Sequence, residues 1–384
     1  MTVDKVSRRQ FMKAGGIGVF GAFAARANAW TKNRVLYVGT YTSGKGEGIY
    51  VCEFSPRVGA FGSCEAKKTI NPSFVAIDRS FRYLYAVNEV SEYEGKPGGY
   101  VSAFAINSIS KELFFLNQQP TQGADPCYLT VDSKRKTLLV ANYTGGNITV
   151  LPIRPNGSLA PATDLKQHEG SGIKEQQKGP HAHCIILDRF ERHALAADLG
   201  IDKVMVYRFN RAAGKLFPAK QPLVELPRGA GPRHLSFHPT GKYLYVINEL
   251  DSSMAAFKYN ESNGTLTHID TVSTLPGDFS GASFCADVHV SPSGRFLYGS
   301  NRGHNSIVVF EIDPRRGKLK LVEHVSTEGD WPRNFVIDPD GKFLLVANQR
   351  SDNVVTFSID ERTGRLTPTG QNHQIPSPVC LKFL

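Results

Sequence analysis

Pro232-Arg233-His234-Leu235-Ser236-Phe237-His238-Pro239-Thr240-Gly241-Lys242-Tyr243-Leu244-Tyr245-Val246-Ile247-Asn248-Glu249 reads as two apolar strands folded about a turn between Thr240 and Gly241. The strand that ends in Asn has counterparts at 35–40, 83–88, 138–142, 194–198, 296–301 and 343–348, with Thr40 and Asp198 standing in for Asn. Seven copies at a period of about fifty residues lie in the regime of propeller blades. After each copy comes another strand, such as 204–209 or 307–312. A turn follows, filled by Gly157, Gly214, Gly264, Gly317 or Gly364, and then a strand opening in Leu or Phe. Glycine suits these turns because it takes positive φ without a steric penalty. No helical apolar period persists, so the chain reads as antiparallel β.

From the second copy on, a further strand precedes the Asn-ended one, as at 233–237 and 333–337. The first copy has none upstream, but 378–383 is available at the far end of the chain. Pairing it into the first blade closes the ring and removes a free sheet edge. The expected fold is all-β: one seven-bladed propeller domain over 30–384, with four antiparallel strands per blade.

A spacing of 15 separates the start of the first strand from the Asn-like position at 73/88, 127/142, 183/198, 233/248, 286/301 and 333/348. Antiparallel pairing sets these positions side by side at one end of the ring, around the channel mouth. The strand starts hold Ser73, Cys127, His183, Arg233, Ala286 and Arg333. The residues after the Asn-like position are Tyr41, Glu89, Tyr143, Leu199, Glu249, Arg302 and Gln349. Three arginines, a histidine and two glutamates at one opening exceed what a scaffold needs, since like charges crowd unfavourably unless a partner or an anionic ligand offsets them. The inserts 92–99, 166–179 and 275–283 fall on the same face and can wall a pocket.

The N-terminus reads as an address. Ser7-Arg8-Arg9-Gln10-Phe11-Met12-Lys13 resembles a twin-arginine export motif, followed by a Gly/Ala-rich apolar stretch and by Ala27-Asn28-Ala29. A signal peptide over 1–29, use of the twin-arginine export machinery and a periplasmic mature protein starting near Trp30 are expected. The leader carries five basic residues against one acid, leaving +6 of the formal +10 for the remainder. That excess is dispersed, which argues against nucleic-acid binding. No later apolar run is long enough to span a bilayer, so no membrane association is expected after cleavage. With 41% hydrophobic and 21% charged residues the chain can bury a core and is not a disordered type. Six cysteines in 384 residues are too few for a disulfide scaffold. Cys52 and Cys64 flank the Gly59 turn and stand either as a disulfide or as two thiols.

Tyr37-Val38-Gly39-Thr40-Tyr41-Thr42, Gly179-Pro180-His181-Ala182-His183, Gly231-Pro232-Arg233-His234-Leu235, Ser300-Asn301-Arg302-Gly303-His304-Asn305 and Trp331-Pro332-Arg333-Asn334-Phe335 resemble segments of the lactonase family of seven-bladed propellers. Its best-known members are bacterial 6-phosphogluconolactonases and fungal carboxy-muconate cyclases. The resemblance implies a catalytic set of His183, Arg233, Glu249 and Arg302, the ring that the register selects independently. The export signal departs from that pattern, because oxidation of glucose 6-phosphate is cytosolic chemistry.

Lactone hydrolysis needs an activated water and a cation for the developing oxyanion. Glu249 or His183 can serve as base, and Arg233 and Arg302 can hold an anion and steady the intermediate. Arg333, Glu89, His181 and Asn301 are the expected substrate-binding residues. The bland alternative is that Glu249 and an arginine only stitch blades together. His181 and His183 lie two apart and would share a strand face, but no ligand spacing accompanies them, so no metal and no other cofactor is expected. His234, His238 and His289 are expected to pack or face solvent. No Gly-rich phosphate loop or Gly-x-Ser-x-Gly elbow is present. The leading expectation is a lactonase acting on a small anionic sugar lactone. The alternatives are a lactonising cycloisomerase and a non-catalytic binding propeller.

Overall fold

The computed structural model describes residues 33–134 and 136–384. The twin-arginine motif, the cleavage segment and the Trp30 start lie outside the described residues. The described chain forms seven four-stranded antiparallel sheets and one two-stranded hairpin. Blade five is typical: Pro232–Phe237, Tyr243–Asn248, Ser253–Asn260 and Thr265–Ser273 run in order from the axis outward. Blade one is composite. Pro378–Phe383 pairs as its innermost strand with Arg34–Thr40, matching Val38 to Leu381 and Leu36 to Phe383. The expected closure is therefore the observed one.

Position within the blade explains the sequence pattern. Tyr83–Asn88, Thr137–Asn142, His193–Asp198 and Tyr243–Asn248 are buried at every residue. Each second strand is covered on both faces by neighbouring blades, so it reads as a continuous apolar run instead of alternating. The outermost strands are half solvated and read polar. The terminal Asn residues are structural. Asn248 Nδ2 donates to Ser253 Oγ at 2.9 Å, and Asn348 Nδ2 donates to the Thr327 carbonyl at 3.1 Å. At the Gly264 turn φ is +73°, and a Cβ there would stand 2.6 Å from His193 Cδ2. Cys52 and Cys64 are register partners and form a disulfide between Gly48–Ser55 and Ala60–Lys68.

One local feature corrects the expected register. Asn248 pairs with Pro232, not with Arg233, and Ile247 pairs with His234. Arg233 is an extra residue, a β-bulge. The same shift falls at Cys127, His183 and Arg333, and a comparable one between Cys285 and Val288. A bulge leaves one residue outside the ladder and re-aims its side chain. It also breaks the alternation that would have set His181 and His183 on one face. His181 precedes its strand, Ala182–Leu187, whereas His183 is the bulge. The rim is pinned by a repeated backbone bond. Glu89, Tyr143, Leu199, Glu249 and Gln349 donate their N–H groups to the carbonyls of Asn71, Asp125, His181, Gly231 and Trp331.

Candidate functional site

All seven blades contribute to the mouth. Blade five brings Glu249 beside its own bulged Arg233, with Arg233 Nε 2.9 Å from Glu249 Oε2. That N–H does not point along the line to the oxygen, so the contact is an ion pair and not a hydrogen bond. Blade six adds Arg302, whose Nη2 lies 2.6 Å from the same oxygen. Arg302 is anchored by donation to the carbonyls of Phe284 and Cys285, and its guanidinium lies 5.3 Å from the Trp331 ring. Arg233 and Arg302 side chains are only 2% and 6% exposed, while Glu249 is 17% exposed. A second group lies on blades seven, one and two. Arg333 Nη2 donates to Tyr41 Oη at 2.9 Å, and Tyr41 Oη donates to Glu89 Oε1 at 2.8 Å. Blades three and four supply Cys127, Tyr143, His181 and His183. Cys127 Sγ lies 3.7 Å from His183 Nδ1. Tyr143 stacks on His181 at 4.4 Å and meets His183 edge-on at 5.5 Å.

Charge is concentrated here, and it sets protonation. Burial works to raise the pKa of Glu249, but Arg302, then Arg233 and Arg333, more than offset it and hold the carboxyl below its usual range. Burial drives the pKa of His183 well below the ordinary imidazole value, and Arg233, His234 and Arg333 add to the shift, so the ring is neutral at pH 7. Burial, with Arg302 and Arg333 nearby, pulls Arg233 down to about 10, still protonated at neutral pH. Three ring atoms, Ser73 Oγ, Glu89 Oε2 and Gln349 Oε1, are buried without a hydrogen-bond partner. Buried polar atoms of this kind mark a place where solvent or a ligand completes the bonding.

The structure thus brings together His183, Arg233, Glu249 and Arg302, with Arg333, Glu89 and His181 around them. It does not bring Asn301. That amide is fully buried, donates to the Thr274 carbonyl and Ser306, accepts from Thr274 Oγ1, and has nothing left for a substrate. His168 offers no free nitrogen to a metal, since Nδ1 lies 2.6 Å from Asp198 Oδ2 and Nε2 lies 2.8 Å from Tyr207 Oη. Among the described residues no group of three or more His, Cys, Asp or Glu side chains is placed to hold a metal ion. His234 packs, as expected, with its ring centroid 5.1 Å from that of Tyr128 and 5.2 Å from that of His183. Its pairing to Asp287 was not foreseen. Asp287 escaped the sequence reading as well. The signal available was its place, since both follow directly on a strand-start position.

Residues 35–383 match the family described as Lactonase, 7-bladed beta-propeller. A 6-phosphogluconolactonase of Bacillus subtilis is 41% identical over 349 residues, covering 91% of this chain and 97% of that protein. A 6-phosphogluconolactonase of Formosa agariphila is 36% identical over 309 residues, covering 79% of this chain and 86% of its own length. The solved structure of a periplasmic gluconolactonase of Pseudomonas aeruginosa superposes with a TM-score of 0.87 at 36% identity, covering 92% of this chain and 99% of the other. A family match over nearly all of the described residues, a propeller with its ring closed as the repeat requires, and an acid–guanidinium mouth all agree: this chain belongs to the lactonase family of seven-bladed β-propellers.

Proposed function

We propose that this protein hydrolyses a sugar-acid lactone of the gluconolactone type at the channel mouth, in the periplasm after twin-arginine export and removal of residues 1–29. The observation that carries the reading is Glu249 held ionised between Arg233 and Arg302, with Arg333 also acting on its charge. Both guanidinium groups engage Glu249 Oε2, so Oε1 is the oxygen available to a water. Water attacks the lactone carbonyl as Glu249 takes its proton. Arg233 and Arg302 stabilise the negative charge that forms on the carbonyl oxygen. The intermediate collapses with cleavage of the ring C–O bond, and the ring oxygen leaves as a hydroxyl carrying the transferred proton. His183 orients the water, while Arg333, Glu89 and His181 hold the rest of the sugar. A phosphorylated lactone would also offset the arginine charge and raise the basicity of Glu249.

Purified mature protein, assayed on a panel of phosphorylated and plain aldonolactones with spontaneous opening subtracted, tests this. Glu249→Gln is expected to lose roughly a hundredfold in kcat, the usual worth of a general base. Arg233→Ala is expected to lose both binding and rate. Parent-like hydrolysis by both variants overturns the assignment. A lactone formed from a muconate, with no hydrolysis of gluconolactones, would instead identify the lactonising reaction.

A further inference from the structure

One step deeper than Glu249, the channel holds a polar network that hydrolysis as described does not use. His234 follows the bulged Arg233 on the innermost strand of blade five and is buried. Its Nε2 lies 3.2 Å from Arg233 Nη1, and its Nδ1 lies 2.7 Å from Asp287 Oδ1 on blade six. Arginine has donors and no acceptor, so His234 Nε2 must accept and Nδ1 must carry the hydrogen that Asp287 receives. Asp287 is itself held from several sides. His289 Nε2 lies 3.0 Å from Oδ2, the Asn334 amide of blade seven donates to the same oxygen, and the Val288 N–H donates to Oδ1 at 2.9 Å. Asn334 in turn accepts from the Leu381 N–H of the closing strand.

The protonation states agree with this direction of bonding. Burial alone would raise Asp287, but His289 and the hydrogen bond from His234 hold its carboxyl well below the usual range. Burial, then Arg233, push His234 down to about 4, so the imidazole stays neutral and can accept from the guanidinium. Arg233 therefore has Nη1 fixed by His234 and by the Ala286 carbonyl, and Nε set against Glu249. Only Nη2 remains for a substrate. Because a bulged residue has no ladder partner to steady it, its aim depends on such contacts.

We propose that His234 and Asp287 are positioning residues for Arg233: a His–Asp pair that fixes the guanidinium by accepting from Nη1, so that its free arm meets the reacting lactone. The inference rests on Arg233 acting on the substrate as described above. A purely structural network would stabilise the channel without coupling to Arg233, and a double-mutant cycle separates the two.

His234→Ala is expected to lower kcat/KM roughly a hundredfold, the effect of misplacing a catalytic group by about 1 Å. In an Arg233→Ala background the same change is expected to cost nothing further. His234→Gln, which restores an acceptor toward Nη1, is expected to recover part of the loss. Thermal unfolding of each variant reports folding separately from rate. Equal losses in both backgrounds, or no loss in the parent, overturn the proposal. Should His234→Ala fail to fold, Asp287→Asn of nearly equal shape runs the same cycle with the same two outcomes. If Arg233→Ala alone is fully active, the hydrolytic role of that arginine falls and this inference with it. If Arg233→Ala is impaired and His234→Ala is not, only this inference falls.

Discussion

His183 is neutral because burial and the guanidinium groups of Arg233 and Arg333 both disfavour a second proton, and this has a measurable sign. A lowered imidazole pKa means that the neutral form persists further into acid. The carboxyl of Glu249, also shifted down, stays ionised over the same range. The acid limb of kcat/KM, which reports the free enzyme, is therefore expected well below the ordinary imidazole value of 6.5, with no fall centred on that value. A limb centred near 6.5 would mean that His183 titrates as an exposed imidazole and that the mouth is wetter than its burial implies. At this scale the sequence was legible where chemistry-bearing side chains occupied repeat positions: His183, Arg233, Glu249 and Arg302 could be found by counting. His234 and Asp287 were not. A histidine inside an apolar strand looks like core until its blade neighbour shows a carboxylate 2.7 Å away.

The blade strands were readable as elements because each burial environment leaves its own pattern, continuous for the second strand and half polar for the outermost. The bulge was not readable. Spacing fixes which residues share an end of the ring, but an extra residue on one strand changes the pairing by one, and nothing in Pro232-Arg233-His234 announces it. The spacing argument reached residues that do meet at the mouth, but through the wrong partner, because the bulge displaces the very residue the spacing selected. The disulfide lies at the same scale. Cys52 and Cys64 join the third and outer strands of blade one across a separation of 12 residues, and closing a loop of that size removes roughly 3 kcal/mol of unfolded-chain entropy. Replacing both by Ser is expected to lower the unfolding free energy by about 2–4 kcal/mol. Lactone turnover at 25 °C should be unchanged, since neither cysteine touches the mouth. Equal denaturation midpoints for the two proteins, or a loss of turnover in the folded variant, would contradict this.

Across the whole molecule, the seven copies and the missing first strand were enough to place the C-terminal strand in blade one. That strand also bonds Asn334 through Leu381, so ring closure and the channel network share a residue. Deleting 378–384 is expected to abolish cooperative unfolding and hydrolysis together, with the uncovered edge of Arg34–Thr40 promoting association. A truncated chain that melts in one sharp transition near the parent would refute the closure argument. Nothing comparable in the sequence disclosed how the two charged groups divide the mouth, because the Arg333–Tyr41–Glu89 set joins blades seven, one and two, which meet only once the ring is shut. The composite blade also bears on biosynthesis. Three of its strands lie near the start of the propeller and the fourth, Pro378–Phe383, some three hundred residues later, so Arg34–Thr40 leaves the ribosome long before its inner partner does. Until then the inner edge of that strand has no partner, and a check for a finished molecule need only ask whether the latch has caught.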